Sequence, residues 1–298
     1  YATRIKNKVI SYILFPIILP FILFGELYIS NFYYVRLPTK LAAYLKGVPH
    51  CYFIQGIECF RKGMFSNILN LLCKTSLYES NLLASNKYLS NEVLNKTGRS
   101  VKHIRVGPSR IFFKQPISST KKAFDIIYFA RREKFKRLDL FFDLVSNADF
   151  ANNEWKTVVV TLDRALARDI SSMFLPNCTV ITPASDKELI NIIDQSKLMF
   201  FTSDYEGLGL PPLECMLRGV PTVTYKTYPL TEYFSNSKLS NLLIDNTSSA
   251  ISIMHKIIMS SEMYKNYSDL CKKFVQDEFS ENYANEFIEH VQSLVSLK

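Results

Sequence analysis

Glu206 and Glu214 stand with seven residues between them in the run Tyr205-Glu206-Gly207-Leu208-Gly209-Leu210-Pro211-Pro212-Leu213-Glu214. Two carboxylates spaced around a glycine turn suit a ligand with two separated sets of hydroxyls, one carboxylate meeting a sugar and the other a ribose. Glycines let the backbone approach an anion closely, and a proline is tolerated where a helix begins. The unpaired amides of the first helical turn, with the helix dipole, favour phosphate at that end. The apolar run 198–202 in front of the motif has the composition of a buried parallel strand. The segment therefore reads as strand, glycine loop and helix N-terminus, with Glu206 on the loop and Glu214 about one turn inside the helix. A second chemical cluster is Arg131, Arg132, Lys134, Lys136 and Arg137. It follows an apolar run at 125–130, and a basic residue just past the first strand of a doubly wound sheet sits at the crevice where ligands bind.

The elements that must position these groups follow an alternating pattern. Strands are expected at 27–32, 50–54, 82–85 and 102–106, with helices at 39–46 and around 89–95, the latter ending at Gly98. From Asp125 the rhythm sharpens, with strands near 125–130, 156–162, 178–182, 198–202, 220–225 and 241–245 separated by amphipathic segments. Ser185-Asp186-Lys187-Glu188 has the form of a capping box. A last helix over 280–297 would carry Tyr283, Phe287, Val291 and Leu294 on one side.

A chain of 298 residues, 48% of them hydrophobic, has the length and core material of about two domains. Cys51, Cys59, Cys73, Cys178, Cys215 and Cys271 lie in apolar segments with no C-x-x-C pair, so they read as reduced core thiols of a cytosolic protein. The four histidines are dispersed and form no ligand set. The net charge of +9 is densest between Lys114 and Arg137, a location that favours a diphosphate, and no RNA-binding or zinc-finger signature accompanies it. Nucleic acid is therefore not an expected partner. Residues 9–24 are free of charge and follow Arg4, Lys6 and Lys8. They fall short of a spanning helix, contain Pro16 and Pro20, and lack a signal-peptide cleavage site. Two readings stay open for them: a core helix, or a surface that dips into the inner leaflet beside its basic flank.

The segment from Glu206 to Glu214, continued by Met216-Leu217-Arg218-Gly219-Val220-Pro221, resembles the Glu-x7-Glu signature of family 4 retaining glycosyltransferases. Residues 129–139 resemble that family's Gly-Arg…Lys-Gly segment, with Ala130 and Arg137 where glycines are usual. The resemblance spans roughly 30–298 and is most specific over 125–225. It implies an α/β fold of the GT-B type, two Rossmann-like doubly wound domains facing a cleft, the N-terminal one incomplete because its first strand and glycine-rich loop are missing from a chain that starts at Tyr1. It implies an acceptor-side domain over 1–115, a donor-binding domain over 116–279 and a terminal helix over 280–298 that crosses back to the first domain.

The same resemblance implies residue roles. Glu206 would orient the donor sugar, Arg131 and Lys136 would hold the diphosphate and balance charge on the leaving phosphate, and Glu214 would bind the ribose. Ser203, Gly207, Leu208, Gly209 and Leu210 would complete the donor contacts. Gln55 stands where the family commonly places a histidine, so it could position a sugar but not titrate, and Glu58 is a weaker candidate for the acceptor. The chemistry implied is retaining transfer from a nucleotide-diphosphate sugar to a glycan or lipid-linked acceptor in surface polysaccharide synthesis (lipopolysaccharide or capsule). No cofactor is expected, and with no Asp-x-Asp pair, no metal. The implied location is cytoplasmic, with peripheral membrane contact. The rival of another class is a glycosyltransferase-like subunit that keeps the fold, loses catalysis and acts as a binding or stabilising partner. A dinucleotide oxidoreductase fits poorly, since the glycine loop lacks the third glycine of G-x-G-x-x-G.

Overall fold

The computed structural model describes residues 26–31, 33–56, 66–117, 121–235 and 237–296. The apolar stretch 9–24, its basic flank, and Glu58 lie outside these residues. Among the described residues no helix is long and apolar enough to cross a membrane. The chain divides into two compact units, one formed by residues 1–106 with 282–298 and the other by 107–281.

The first unit holds a parallel sheet in the order β1 (Tyr28–Ser30), β2 (His50–Ile54), β3 (Leu82–Ala84), β4 (Lys102–His103). Three helices connect these strands: α1 (Tyr33–Lys46), α2 (Ser66–Ser76) and α3 (Lys87–Thr97). Asn86 caps α3 by accepting from the Leu89 amide, and Gly98 closes it in the left-handed region. Helix α1 runs through Pro38, whereas the sequence suggests a start at Thr39. A mid-helix proline forfeits one backbone bond, and here packing against β1 and β2 outweighs that loss. Cys51, Phe53, Leu83 and Ile104 form a core cluster against which Tyr283, Phe287 and Leu294 of the terminal helix Tyr283–Ser296 pack. Phe53 and Phe287 meet edge to face at 5.1 Å, and Arg105 pairs with Glu286 at 3.0 Å. Cys51, Cys178, Cys215 and Cys271 are free thiols, but Cys73 is disulfide-bonded. That corrects the expectation of six reduced thiols: spacing along the chain reveals local pairs, not pairs made by folding.

The second unit holds six parallel strands in the order β10 (Leu243–Ile244), β9 (Thr222–Tyr225), β8 (Ser196–Phe201), β5 (Phe124–Phe129), β6 (Thr157–Val160), β7 (Cys178–Ile181). Counted from β5 this is the doubly wound order 3-2-1-4-5-6, whose direction of winding reverses between β5 and β8. Its helices are α4 (Arg110–Lys114), α5 (Leu138–Val145), α6 (Ala148–Asn152), α7 (Arg164–Ser172), α8 (Asp186–Asp194), α9 (Leu210–Leu217), α10 (Leu230–Ser235), α11 (Thr247–Met259) and α12 (Ser261–Glu278). The central strands are buried on both faces, as the apolar runs Ile126-Ile127-Tyr128 and Leu198-Met199-Phe200 require. Ser185 caps α8 by accepting from the Glu188 amide, and Glu188 accepts in return from Ala184 rather than from Ser185.

Candidate functional site

Two loops leave the carboxyl ends of β5 and β8, on either side of the switch point. After β5 come buried Ala130, exposed Arg131, a single 3-10 turn at Lys134–Lys136, and Arg137 in the left-handed region at φ 51°. Arg131 has no hydrogen-bond or ion-pair partner among the described residues, so its guanidinium is available to a ligand. After β8 come buried Thr202 and Ser203, then Asp204, Glu206 and the glycine loop. Gly209 stands at φ 73° just before α9, where a Cβ would meet nothing closer than 3.9 Å. The backbone conformation, not crowding, calls for glycine there. Pro211 and Pro212 fall in the first turn of α9, whose N–H groups have no intrahelical acceptor.

The two loops are stitched together. The Thr202 hydroxyl donates to the Lys136 carbonyl at 2.7 Å, and the Asp204 amide donates to the Phe135 carbonyl at 2.7 Å. Thr202 has one hydroxyl proton, so the buried Tyr128 hydroxyl, 2.9 Å away, is the donor in their contact. The β5 core thus reaches the basic loop through Thr202. Across the loops Lys136 Nζ donates to Glu206 Oε1 at 2.5 Å. The Arg137 guanidinium reaches Asp139 and, at 3.0 Å, Asp204, which holds a non-glycine residue in a conformation that usually disfavours one. From behind, the Glu206 amide donates to the Tyr228 carbonyl at 2.9 Å, Thr227 donates to the Ser203 carbonyl, and the Tyr205 and Tyr228 rings stack at 5.7 Å.

Glu214 lies about one turn inside α9, largely buried, with no cation paired to it among the described residues. Burial, and secondarily the charge of Asp186, pushes its carboxyl up to about 7. A carboxylate held in that state gains from any ligand hydroxyl that donates to it. Arg131, Lys136, Ser203, Glu206, Gly207, Leu208, Gly209, Leu210 and Glu214 thus all belong to the second unit, on the loops after β5 and β8 or on the helix that follows. Gln55 does not: it is exposed at the carboxyl end of β2 in the first unit. Among the described residues no group of three or more His, Cys, Asp or Glu side chains is placed to hold a metal ion.

Sequence reasoning missed three supports. Thr202 gives no signal of its own. Arg137 reads in the sequence only as a departure from a usual glycine. Arg218, in the same motif run, forms a buried ion pair with Asp194, and an acidic residue closing α8, where the helix dipole favours a cation, was the clue.

A doubly wound parallel unit with a basic loop and a carboxylate-flanked glycine loop at its switch point, joined to a second parallel α/β unit, defines a Rossmann-like protein of the GT-B class. The chain belongs to the glycosyl transferases group 1, which its residues 109–276 match, more than half of its length. Solved structures agree on the fold. It is similar to a sucrose-phosphate synthase from Thermosynechococcus elongatus at TM-score 0.71 and 13% identity, over 100% of this chain and 81% of that one. It is also similar to HepE from Anabaena in complex with UDP, at TM-score 0.70 and 16% identity over 95% and 81%. TarM gives TM-score 0.65 at 15% identity, and the chain spans 54% of TarM's length while 89% of this chain is covered. No curated protein matches the chain by sequence.

Proposed function

We propose that the chain transfers a sugar from a nucleotide-diphosphate donor to a glycan or lipid-linked acceptor with retention at the anomeric carbon. The observation that carries this reading is the Lys136–Glu206 contact at the switch point, with exposed Arg131 on the same loop as Lys136. An arriving diphosphate takes Arg131 and Lys136 as charge-assisted partners. Glu206, released from sole pairing with Lys136, turns its carboxylate to the donor sugar, and Glu214 accepts from the ribose hydroxyls. In the transfer step the bond from the anomeric carbon to the phosphate oxygen breaks. The acceptor oxygen bonds the same face of that carbon, and the acceptor proton passes to the leaving phosphate. Arg131, Lys136 and the loop amides near Gly207 to Leu210 stabilise the charge that grows there. A HepE structure holds UDP and glucose, which supports a uridine nucleotide as the first donor class to try.

The reading extends to metal-independent transfer and to work at the cytoplasmic membrane face in surface polysaccharide synthesis, supported by the net charge of +9. One residue favours the rival reading of a non-catalytic subunit: Gln55, which cannot titrate where a histidine is usual. Calorimetry with a nucleoside diphosphate tests the site. Alanine at Arg131 should weaken binding by about tenfold or more, since a charged hydrogen bond contributes about 1.5–3 kcal/mol. Equal affinity of variant and wild type would move the diphosphate elsewhere. Slow hydrolysis of a bound nucleotide sugar would then favour the enzyme over the rival.

A further inference from the structure

The second unit holds a cavity of about 260 Å³ at the carboxyl ends of β5, β8, β9 and β10. Its charged walls are Arg137 from the loop after β5, Asp204 from the loop after β8, Lys226 just past β9 and Asp245 just past β10. Leu140 of α5 and Ile244 of β10 supply an apolar part. In an open parallel α/β sheet, ligands bind outside these strand ends. None of Arg131, Lys136, Glu206 and Glu214 lines the cavity. It lies toward the β10 edge of the sheet, across the switch point from β6 and β7.

Arg137 pairs with Asp204 at 3.0 Å and Lys226 with Asp245 at 2.7 Å, so the walls carry two positive and two negative charges that cancel. A phosphate would meet both carboxylates there, and a metal ion both basic groups. A zwitterion would have to displace the two existing pairs. A neutral ligand rich in hydroxyls meets none of these costs, because a hydroxyl donates to a carboxylate and accepts from an ammonium or guanidinium. It joins the pairs without breaking them: a lysine has three N–H donors and a carboxylate about four lone-pair sites. The volume falls below the roughly 300 Å³ at which drug-sized sites begin, which suits one sugar ring and not a nucleotide. Leu140 and Ile244 would meet the C–H groups of such a ring. We propose that this cavity is a second sugar-binding site, which holds one neutral sugar residue through Arg137, Asp204, Lys226 and Asp245, apart from the donor groups Glu206 and Glu214. Arg137 directly follows Lys136 and Asp204 stands two residues before Glu206, so the bound sugar lies beside both donor loops. The same chemistry serves a residue of an acceptor glycan or a free sugar acting as an effector. The site does not depend on the transfer chemistry proposed above.

Saturation-transfer NMR on the full chain tests it, with the methyl glycosides of glucose, galactose, mannose and N-acetylglucosamine as probes and UDP present to occupy the nucleotide site. At least one glycoside should give a signal. Lys226→Ala with Asp245→Ala removes one pair of the wall without stranding a charge, so melting and nucleoside diphosphate affinity should stay at wild-type values. Glycoside affinity should fall about tenfold or more in that double variant, and Glu206→Gln should leave it unchanged. A glycoside that turns up in a transfer product marks the acceptor, and one recovered unchanged from an active reaction marks an effector. Absence of a signal from all four overturns the proposal. So does a signal that inorganic phosphate suppresses at constant ionic strength, or one that Glu206→Gln removes while the double variant keeps it. Glycoside binding through Lys226 and Asp245 in a chain that transfers no sugar would leave this site standing and remove the transferase reading.

Discussion

Two ion pairs in the second unit differ in what surrounds them. Arg218 and Asp194 are 4% and 0% exposed. The guanidinium gives two bonds to the carboxylate, at 2.8 and 2.6 Å, and the others to the carbonyls of Phe112, Gln115 and Pro116. All five of its N–H donors are thereby used. Lys136 and Glu206 are 18% and 13% exposed and share one bond. Lys136 keeps two donors and Glu206 keeps most of its acceptor capacity. A saturated pair holds structure, here the segment after α4 against the C-terminal ends of α8 and α9. An unsaturated pair at a switch point keeps free hydrogen-bonding capacity, which the proposed donor would take up.

Breaking the saturated pair should give the largest effect. Arg218→Ala leaves Asp194 buried without its counter-charge and three carbonyls without a donor, a loss of about 3–5 kcal/mol. Calorimetric melting should shift down by several degrees, and Arg218→Lys should recover only part, since an ammonium cannot reproduce the planar fork. A melting temperature equal to wild type for Arg218→Ala would show that the pair holds nothing. Breaking the unsaturated pair should do the reverse. Glu206→Gln keeps the shape of the side chain, so melting and nucleoside diphosphate affinity should stay near wild type while transfer falls by about a hundredfold. More than half of wild-type turnover in that variant would remove Glu206 from the sugar.

Glu214 gives the next effect, read against pH. Its folded value, about 7, lies above the ordinary 4.5 because burial disfavours the charge. Folding therefore favours the protonated form: the stability it contributes is complete below 4.5 and is lost as pH rises through about 7. Removing the titration with Glu214→Gln should make the variant more stable than wild type at pH 8 by roughly 1–3 kcal/mol, a gap that closes toward pH 5. Parallel melting curves over that range would show that Glu214 does not titrate there. If ribose hydroxyls donate to the ionised carboxylate, nucleotide binding near pH 6.5 should release a proton, visible as a buffer-dependent enthalpy.

The sequence made one kind of information legible and hid another. Strand, glycine loop and helix were readable at 198–217 because apolar runs, Gly209 and the prolines are local signals, and the structure has β8 and α9 there. The Glu206 and Glu214 placements, loop and first helical turns, follow from the same local rules. Pairings made by folding were not readable. Arg36 meets Glu79 across 43 positions, and Arg218 meets Asp194 across 24, distances at which residue type carries no address. Helix α1 shows the limit of a local rule: its proline suggests a start at Thr39, whereas the helix runs from Tyr33 through Pro38.

Arg137 offers the smallest effect and the finest test of the contrast. It occupies a left-handed position, φ 51° and ψ 50°, at a cost of about 1–2 kcal/mol that glycine would avoid. Glycine would in turn lose unfolded-state restriction, about 0.5–1 kcal/mol. It would also lose the Arg137 contacts to Asp139 and Asp204, in which the arginine is half-buried and both carboxylates are exposed. Exposed pairs contribute about 0.2–1 kcal/mol each. These terms nearly cancel, so Arg137→Gly should change stability by less than about 1 kcal/mol. A double-mutant cycle separates them: after Asp204→Asn the arginine has lost one partner, so adding Arg137→Gly should then cost less than it does in the wild type, by about 0.5 kcal/mol. A loss above about 2 kcal/mol for Arg137→Gly alone would place this arginine with Arg218 among the structural pairs. Transfer reduced at unchanged stability would place it with Lys136, as a residue that fixes the basic loop in front of Glu206.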